Sequence, residues 1–143
     1  YSVLKETKED FLVTGLGSEE IFAGYDRHKG NINEECWKGL TEIWQRDLVR
    51  DISLAKIFNK EIKLPFLDKE LIKYSMQIDE SLKVQEFRKQ ILRETAVSLG
   101  LPKDIAFRKK CAAQYGSKFD YALEKLAKKK GLKKREYLEQ LEI

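Results

Sequence analysis

The feature that most restricts this chain is a short apolar run, Phe11-Leu12-Val13, which stops at Gly15-Leu16-Gly17 and passes straight into Ser18-Glu19-Glu20. β-favouring residues bounded by glycines predict a buried strand over residues 10–14. Ser18 stands where an N-cap belongs, with two carboxylates in the turn that follows, so a helix is expected from there to about Gly24. The remainder reads as helix. One strand among many helices predicts an α/β, mostly helical chain. A lone buried strand would leave backbone N–H and C=O groups unpaired, so its sheet is expected to draw its other strands from outside this sequence.

Downstream, Trp37, Leu40, Ile43, Trp44, Leu48, Ile52, Ala55 and Phe58 recur at three- and four-residue steps. That period predicts two helices within Asn33–Asn59, broken near Asp47, with Trp37 and Trp44 in the core. Pro65 biases Leu64 away from helix, so Glu61–Phe66 is expected to be extended, with Phe66 and Leu67 buried. Asp68 caps the next helix, which covers Leu71, Ile72, Ser75 and Met76. Phe87–Leu99 is a further amphipathic helix closed by Gly100 at the C′ position. Pro102 opens a short helix through Ile105 and Phe107. Phe119–Lys130 and Lys133–Leu141 are the last two, parted by Gly131. No repeat and no long linker divides residues 1–143.

The chain carries 28 Lys and Arg against 24 Asp and Glu, a net charge of +4, and hydrophobic residues make up 42%. Such a balance suits a folded protein rather than a disordered one. The excess is local, at Arg108-Lys109-Lys110 and at Lys125, Lys128, Lys129, Lys130, Lys133, Lys134 and Arg135. Clustered cations attract anions, whether nucleotide phosphates or RNA, and the second cluster also reads as a solvated helix face. Cys36 and Cys111 fit no metal-ligand spacing, and two lone thiols predict a cytoplasmic protein. No apolar run approaches a membrane span. The sequence opens on Tyr1 and Met76 is its only methionine, so the start codon is expected upstream.

Three segments bear on chemistry. A strand that ends in Gly-x-Gly and opens a helix gathers backbone N–H groups and the positive end of a helix dipole at one point, an arrangement that holds phosphate. Carboxylates beside a phosphate need a divalent cation between them, so Glu19 or Glu20 is a candidate Mg²⁺ ligand; complementing the helix dipole is the plainer role. Arg108-Lys109-Lys110 can neutralise a triphosphate or a leaving pyrophosphate, or be a solvated basic loop. Glu61–Asp68 contains nothing reactive and reads as a scaffold turn. His28, the only histidine, is expected in a surface loop, and Cys111 as structural.

In this order the segments resemble the synthetase domain of the asparagine synthetase family. That family carries a SGEGSDEIFGGY-like stretch, an RxD-type helix end, ExRxPFLD, EKxxLR and LPxxIxxRxK. The matches are Thr14–Tyr25, Arg50-Asp51, Glu61–Asp68, Lys89–Arg93 and Leu101–Lys110, spread over about 100 of the 143 residues. The resemblance implies the C-terminal portion of a PP-loop (adenine nucleotide alpha hydrolase-like) α/β sandwich. It also implies an ATP-dependent ligase: a carboxylate attacks the α-phosphorus, pyrophosphate leaves, and an amine or ammonia opens the acyl-adenylate. By position, Thr14, Gly15, Gly17 and Ser18 fall on the nucleotide site, Glu19 on the Mg²⁺ ligand, and Lys110 on the lysine that stabilises pyrophosphate.

Two places depart from the pattern. Leu16 replaces a glutamate near the acyl-adenylate, and Ala112–Ser117 differs from an FSDG-like run, so another acceptor is implied. No SGGxDS loop occurs in the sequence, so ATP and a carboxylate substrate are expected to meet this portion only together with an N-terminal PP-loop portion or a companion chain; a homodimer is compatible with either. The rival expectations are a PP-loop enzyme that modifies RNA and a non-catalytic scaffold that keeps the fold.

Overall fold

The computed structural model describes residues 1–111 and 113–141, as an α/β, mostly helical structure of two compact units, Tyr1–Phe107 and Arg108–Ile143. In the first unit α1 (Ser2–Glu6) precedes β1 (Phe11–Val13). The partner of β1 lies within this sequence: β2 (Glu61–Lys63) runs parallel to it, with Phe11 opposite Glu61 and Val13 opposite Lys63. Backbone bonds from Glu61 N to Asp10 O (2.9 Å) and from Thr14 N to Lys63 O (3.0 Å) extend the ladder at both ends. The strand is not buried as its apolar run suggested, since Phe11 is 51% and Val13 65% exposed. A two-stranded sheet covers only one neighbour of each strand, and the side chains of β1 outrun that cover.

The turn after β1 leads into α2 (Ser18–Ile21), which is shorter than expected. Its N-cap is Gly17 rather than Ser18, because the chain enters the helix through φ = 95°, a left-handed angle that glycine adopts without strain. A Cβ at Gly17 would also lie 2.5 Å from Leu67 Cδ2. The helix stops at Ile21, and Ala23 takes φ = 57° to turn the chain back. Ile21 and Phe22 are buried, each contributing roughly 2 kcal/mol of transfer free energy.

The long helical stretch is α3 (Ile32–Ile43), a π-helical turn (Trp44–Leu48) and α4 (Val49–Ile57). The expected break near Asp47 is thus a widened turn in a continuous rod. Cys36, Gly39, Ile43 and Leu48 form the buried stripe, while Trp37 and Trp44 are 50% and 57% exposed. The core expectation for the two tryptophans fails because the facing surface is filled by Glu20 and demands small residues. A Cβ on Gly39 would already lie 3.2 Å from Glu20 Cγ.

A 3-10 turn (Pro65–Leu67), with Phe66 and Leu67 half-buried, precedes α5 (Lys69–Ser75). Asp68 caps α5 as its side chain accepts from Glu70 N and Leu71 N at 3.0 Å. α6 (Glu80–Lys83) follows, then α7 (Gln90–Ser98) and α8 (Lys103–Ala106). α7 begins three residues later than its apolar spacing suggested, since Arg88 bridges back to Val84 and Lys89 is left-handed.

The second unit contains α9 (Ala113–Gly116), α10 (Phe119–Lys129) and α11 (Lys134–Glu139). The last two form a hairpin whose buried residues are Ala127 and Tyr137. Ala112, within the Ala112–Ser117 departure, lies outside the described residues. No helix among the described residues is long and apolar enough to cross a membrane.

Candidate functional site

The loop from Thr14 to His28 joins β1 to α3 and is held by partners drawn from three later segments. Its first residues are tied locally: Thr14 Oγ1 accepts from Leu16 N at 3.2 Å, and Gly15 O accepts from Ser18 N at 3.2 Å. Thr14 is half-buried and Gly15 exposed, whereas Gly17 and Ser18 are buried beneath them.

The two adjacent glutamates have different surroundings. Glu20 is fully buried, and its Oε1 accepts from Arg46 Nη2 at 2.5 Å and from Tyr25 Oη at 3.1 Å. Arg46 comes from the π-helical turn, whose extra residue rotates the side chains that follow it relative to a regular helix. Arg27 lies over the Tyr25 ring at 4.1 Å from its centroid. Burial, then the Glu20 carboxylate, pushes the Tyr25 phenol up to about 12, so it remains a donor. Glu20 is therefore a structural anchor and is not placed to hold Mg²⁺.

Glu19 has a different partner. Its Oε1 receives Lys89 Nζ at 3.0 Å, and Gly24 packs so closely that a Cβ there would overlap the Glu19 carboxylate. Among the described residues no group of three His, Cys, Asp or Glu side chains is able to hold a metal ion. A protein cage is thus lacking in this portion. Mg²⁺ is commonly held by one or two carboxylates, with phosphates and water completing its shell, and Glu19 fits that donor set.

Lys89 and Arg88 act as a double clamp ahead of α7. Arg88 Nε donates to Asp26 Oδ1 at 2.9 Å, while its Nη1 reaches His28 O at 3.2 Å. Arg93 donates back to Arg88 O (2.8 Å) and to Ala106 O (2.5 Å), which fixes the clamp to α8. The EKxxLR-like segment is accordingly a bracket on the candidate loop, a role that its sequence did not disclose.

His28 is buried rather than on the surface, in a turn whose carbonyl is held by Arg88. Its Nδ1 accepts from Tyr25 N at 3.3 Å. Burial, helped by Arg27, holds its pKa below the usual histidine value. A second buried cluster was also missed. Lys83 is fully buried and donates to Asn33 Oδ1 at 2.6 Å, while Asn33 N donates to Glu80 Oε1 at 2.6 Å. Burial lowers the Lys83 pKa and raises that of the neighbouring Cys36 thiol. A lysine between two apolar residues, Leu82 and Val84, is the only trace this cluster leaves in the sequence.

Lys110 belongs to the second unit, where Arg108, Lys109, Lys110 and Cys111 are exposed. The structure thus gathers Thr14 to Glu19 on one loop and places Lys110 in a unit of its own.

Comparison with known proteins adds to this geometry. Residues 29–141 match the family model described as Asparagine synthase. A mouse (Mus musculus) protein named asparagine synthetase domain-containing protein 1 is 33% identical over 75% of this chain. A glutamine-hydrolyzing asparagine synthetase 3 of Arabidopsis thaliana is 30% identical over 75%. A provisionally assigned glutamine-hydrolyzing asparagine synthetase of Methanocaldococcus jannaschii is 28% identical over 92%. The chain spans only 32%, 19% and 21% of the archaeal, mouse and plant relatives' own lengths.

Proposed function

The chain belongs to the asparagine synthase family, and from that premise we propose that it is the C-terminal part of an ATP-dependent, amide-forming ligase. The observation that carries this reading is the Glu19–Lys89 pair at the exit of β1. A carboxylate held ready by a cation, beside a glycine turn at the end of a parallel strand, is chemistry that a metal-bound polyphosphate can use. The half-covered β1–β2 sheet supports the further reading that a PP-loop portion, from the same protein or a companion chain, supplies more strands.

In the proposed reaction a carboxylate oxygen attacks the α-phosphorus of ATP and pyrophosphate departs. An amine or ammonia then opens the mixed anhydride and AMP leaves. Thr14 and Gly15 line the nucleotide, with Gly17 and Ser18 supporting them from below. Glu19 is the protein ligand to Mg²⁺, which would neutralise the phosphate oxygens. Lys89 holds the Glu19 carboxylate in place, and Lys110 offsets charge on the departing pyrophosphate. Leu16 puts an apolar group where the family has a glutamate near the acyl-adenylate, which argues against aspartate as the acceptor.

Pyrophosphate exchange into ATP, measured with the full-length protein and its carboxylate substrate, tests the assignment. Lys110→Ala is expected to slow exchange by about 100-fold, in the range of other charge-stabilising donors. An unchanged rate removes Lys110 from the reaction.

A further inference from the structure

We propose that α10 carries a binding face for single-stranded nucleic acid. Residues 108–143 hold 11 Lys and Arg against 5 Asp and Glu, and α10 sorts its share of that charge by side. At 3.6 residues per turn Tyr121, Lys125, Lys128 and Lys129, spaced i, i+4, i+7 and i+8, fall on one face, and all four are exposed. Asp120 lies on a different side, where it receives Lys134 Nζ of α11 at 2.5 Å. Glu124 reaches the margin of the face to pair with Lys128 at 2.7 Å. Among the described residues Lys125 and Lys129 have no carboxylate partner.

The helix alone does not account for this arrangement. Lys125 stands three and four residues before Lys128 and Lys129, and like charges at those spacings repel across a turn. The helix dipole favours cations in the last turn, which covers Lys128 and Lys129 but gives little to Lys125. A row of cations that repel one another is stabilised by a polyanion lying along it. Lys128, Lys133 and Lys134 also line a groove of about 400 Å³ at the hairpin turn, so the positive surface continues from α10 to α11.

Tyr121 selects among polyanions. Its residue is 61% exposed, and Lys125 Nζ lies 5.7 Å from the ring centroid. An open aromatic ring beside a cation is the pairing by which proteins hold an unpaired base and its phosphate together. A duplex keeps its bases stacked inside and offers the ring nothing to cover. A lipid surface would meet charge on this face but no large aliphatic side chain to insert. None of these residues lies in the loop from Thr14 to His28, and the inference does not rest on the ligase reading.

Fluorescence anisotropy with the full-length protein tests the face, using short labelled oligouridylate and oligodeoxythymidylate, a duplex of equal length, and anionic phosphatidylserine vesicles. Both single strands are expected to bind more tightly than the duplex, since nothing in the face reads a 2′-hydroxyl. Affinity should fall roughly tenfold or more between about 50 and about 200 mM salt. Lys125→Glu with Lys129→Glu, at exposed positions, should weaken both strands at least about tenfold and flatten that salt dependence. Tyr121→Ala should weaken them about fivefold or more and leave the salt dependence unchanged. The proposal is overturned if neither strand binds at low salt, if the duplex or the vesicles bind as tightly as the strands, if polyglutamate competes as well as unlabelled oligouridylate, or if the substitutions change nothing.

Discussion

The two units use charge in opposite ways. Residues 1–107 contain 17 Lys and Arg against 19 Asp and Glu, whereas residues 108–143 contain 11 against 5. The first unit is thus slightly acidic although the chain is basic, and beside exposed pairs such as Lys73–Glu70 it holds three ionisable groups, Glu20, Lys83 and His28, out of solvent altogether. In the second unit the pairs Lys128–Glu124 and Arg135–Glu139 lie in solvent, and Lys134–Asp120 is only part-buried. Desolvated polar groups must find a partner or cost several kcal/mol, so they specify one geometry. Solvated charges gain little from any one arrangement. The difference teaches where a catalytic loop can be held accurately: among buried partners, not on the basic hairpin.

Lys83 gives the sharpest way to break that comparison. Lys83→Ala removes the ammonium that donates to Asn33 Oδ1 and leaves that part-buried oxygen without its donor. Truncating a buried stem and stranding one acceptor costs about 2–5 kcal/mol. Lys83→Met, which keeps the volume, should cost about 1–3 kcal/mol, the price of one unsatisfied acceptor. Urea denaturation of both variants measures the gap. If Lys83→Ala unfolds at the wild-type midpoint, the buried network is not what orders the first unit.

His28 allows a pH test with a smaller effect. Its folded pKa is depressed by burial and by Arg27, below an ordinary value of 6.5. Stability from a depressed group is fully present above its unfolded pKa and is lost as pH falls through the folded one. The protein should therefore weaken progressively below about pH 6.5, the unfolded value. Since His28 is the only histidine, the effect is assignable. His28→Gln retains an acceptor for Tyr25 N and should flatten the slope between pH 7 and the onset of carboxylate titration. A slope unchanged in that variant would place the titrating group elsewhere.

How much of this was legible in the sequence depends on whether the signal was local. Gly100 and Gly131 ended their helices as read, each with a left-handed angle, and in each the next residue bonds back across the turn: Leu101 N to Ala96 O, Leu132 N to Ala127 O, at 2.9 and 3.0 Å. Asp68 capped α5 for the same reason, because its acceptor reaches donors two and three residues away. Burial was read poorly. Trp37 and Trp44 satisfied the helical period, yet the face that turned inward was the one bearing Cys36 and Gly39, since Glu20 had to fit against it. His28 and Lys83 were invisible as core residues because their partners lie 60 and 50 positions away. The candidate loop was legible as a motif, but its clamps, Arg46, Arg88 and Lys89, are properties of the fold.

The second unit should answer the same kind of substitution with almost no change. Lys128 and Glu124 are spaced i to i+4 on α10, with nitrogen and oxygen 2.7 Å apart, but both side chains are largely in water. Exposed helical pairs of this kind contribute little to stability, and salt reduces that further. The orientation, with the glutamate nearer the helix N-terminus, also agrees with the helix dipole, so a little of the effect belongs to each charge separately. A double-mutant cycle with Glu124→Ala and Lys128→Ala, run at low and at high salt, isolates the coupling. It should be barely measurable at low salt and vanish as salt rises. A large coupling that persisted in salt would mean the hairpin is dehydrated in the whole protein, and the contrast between the units would then belong to this portion only.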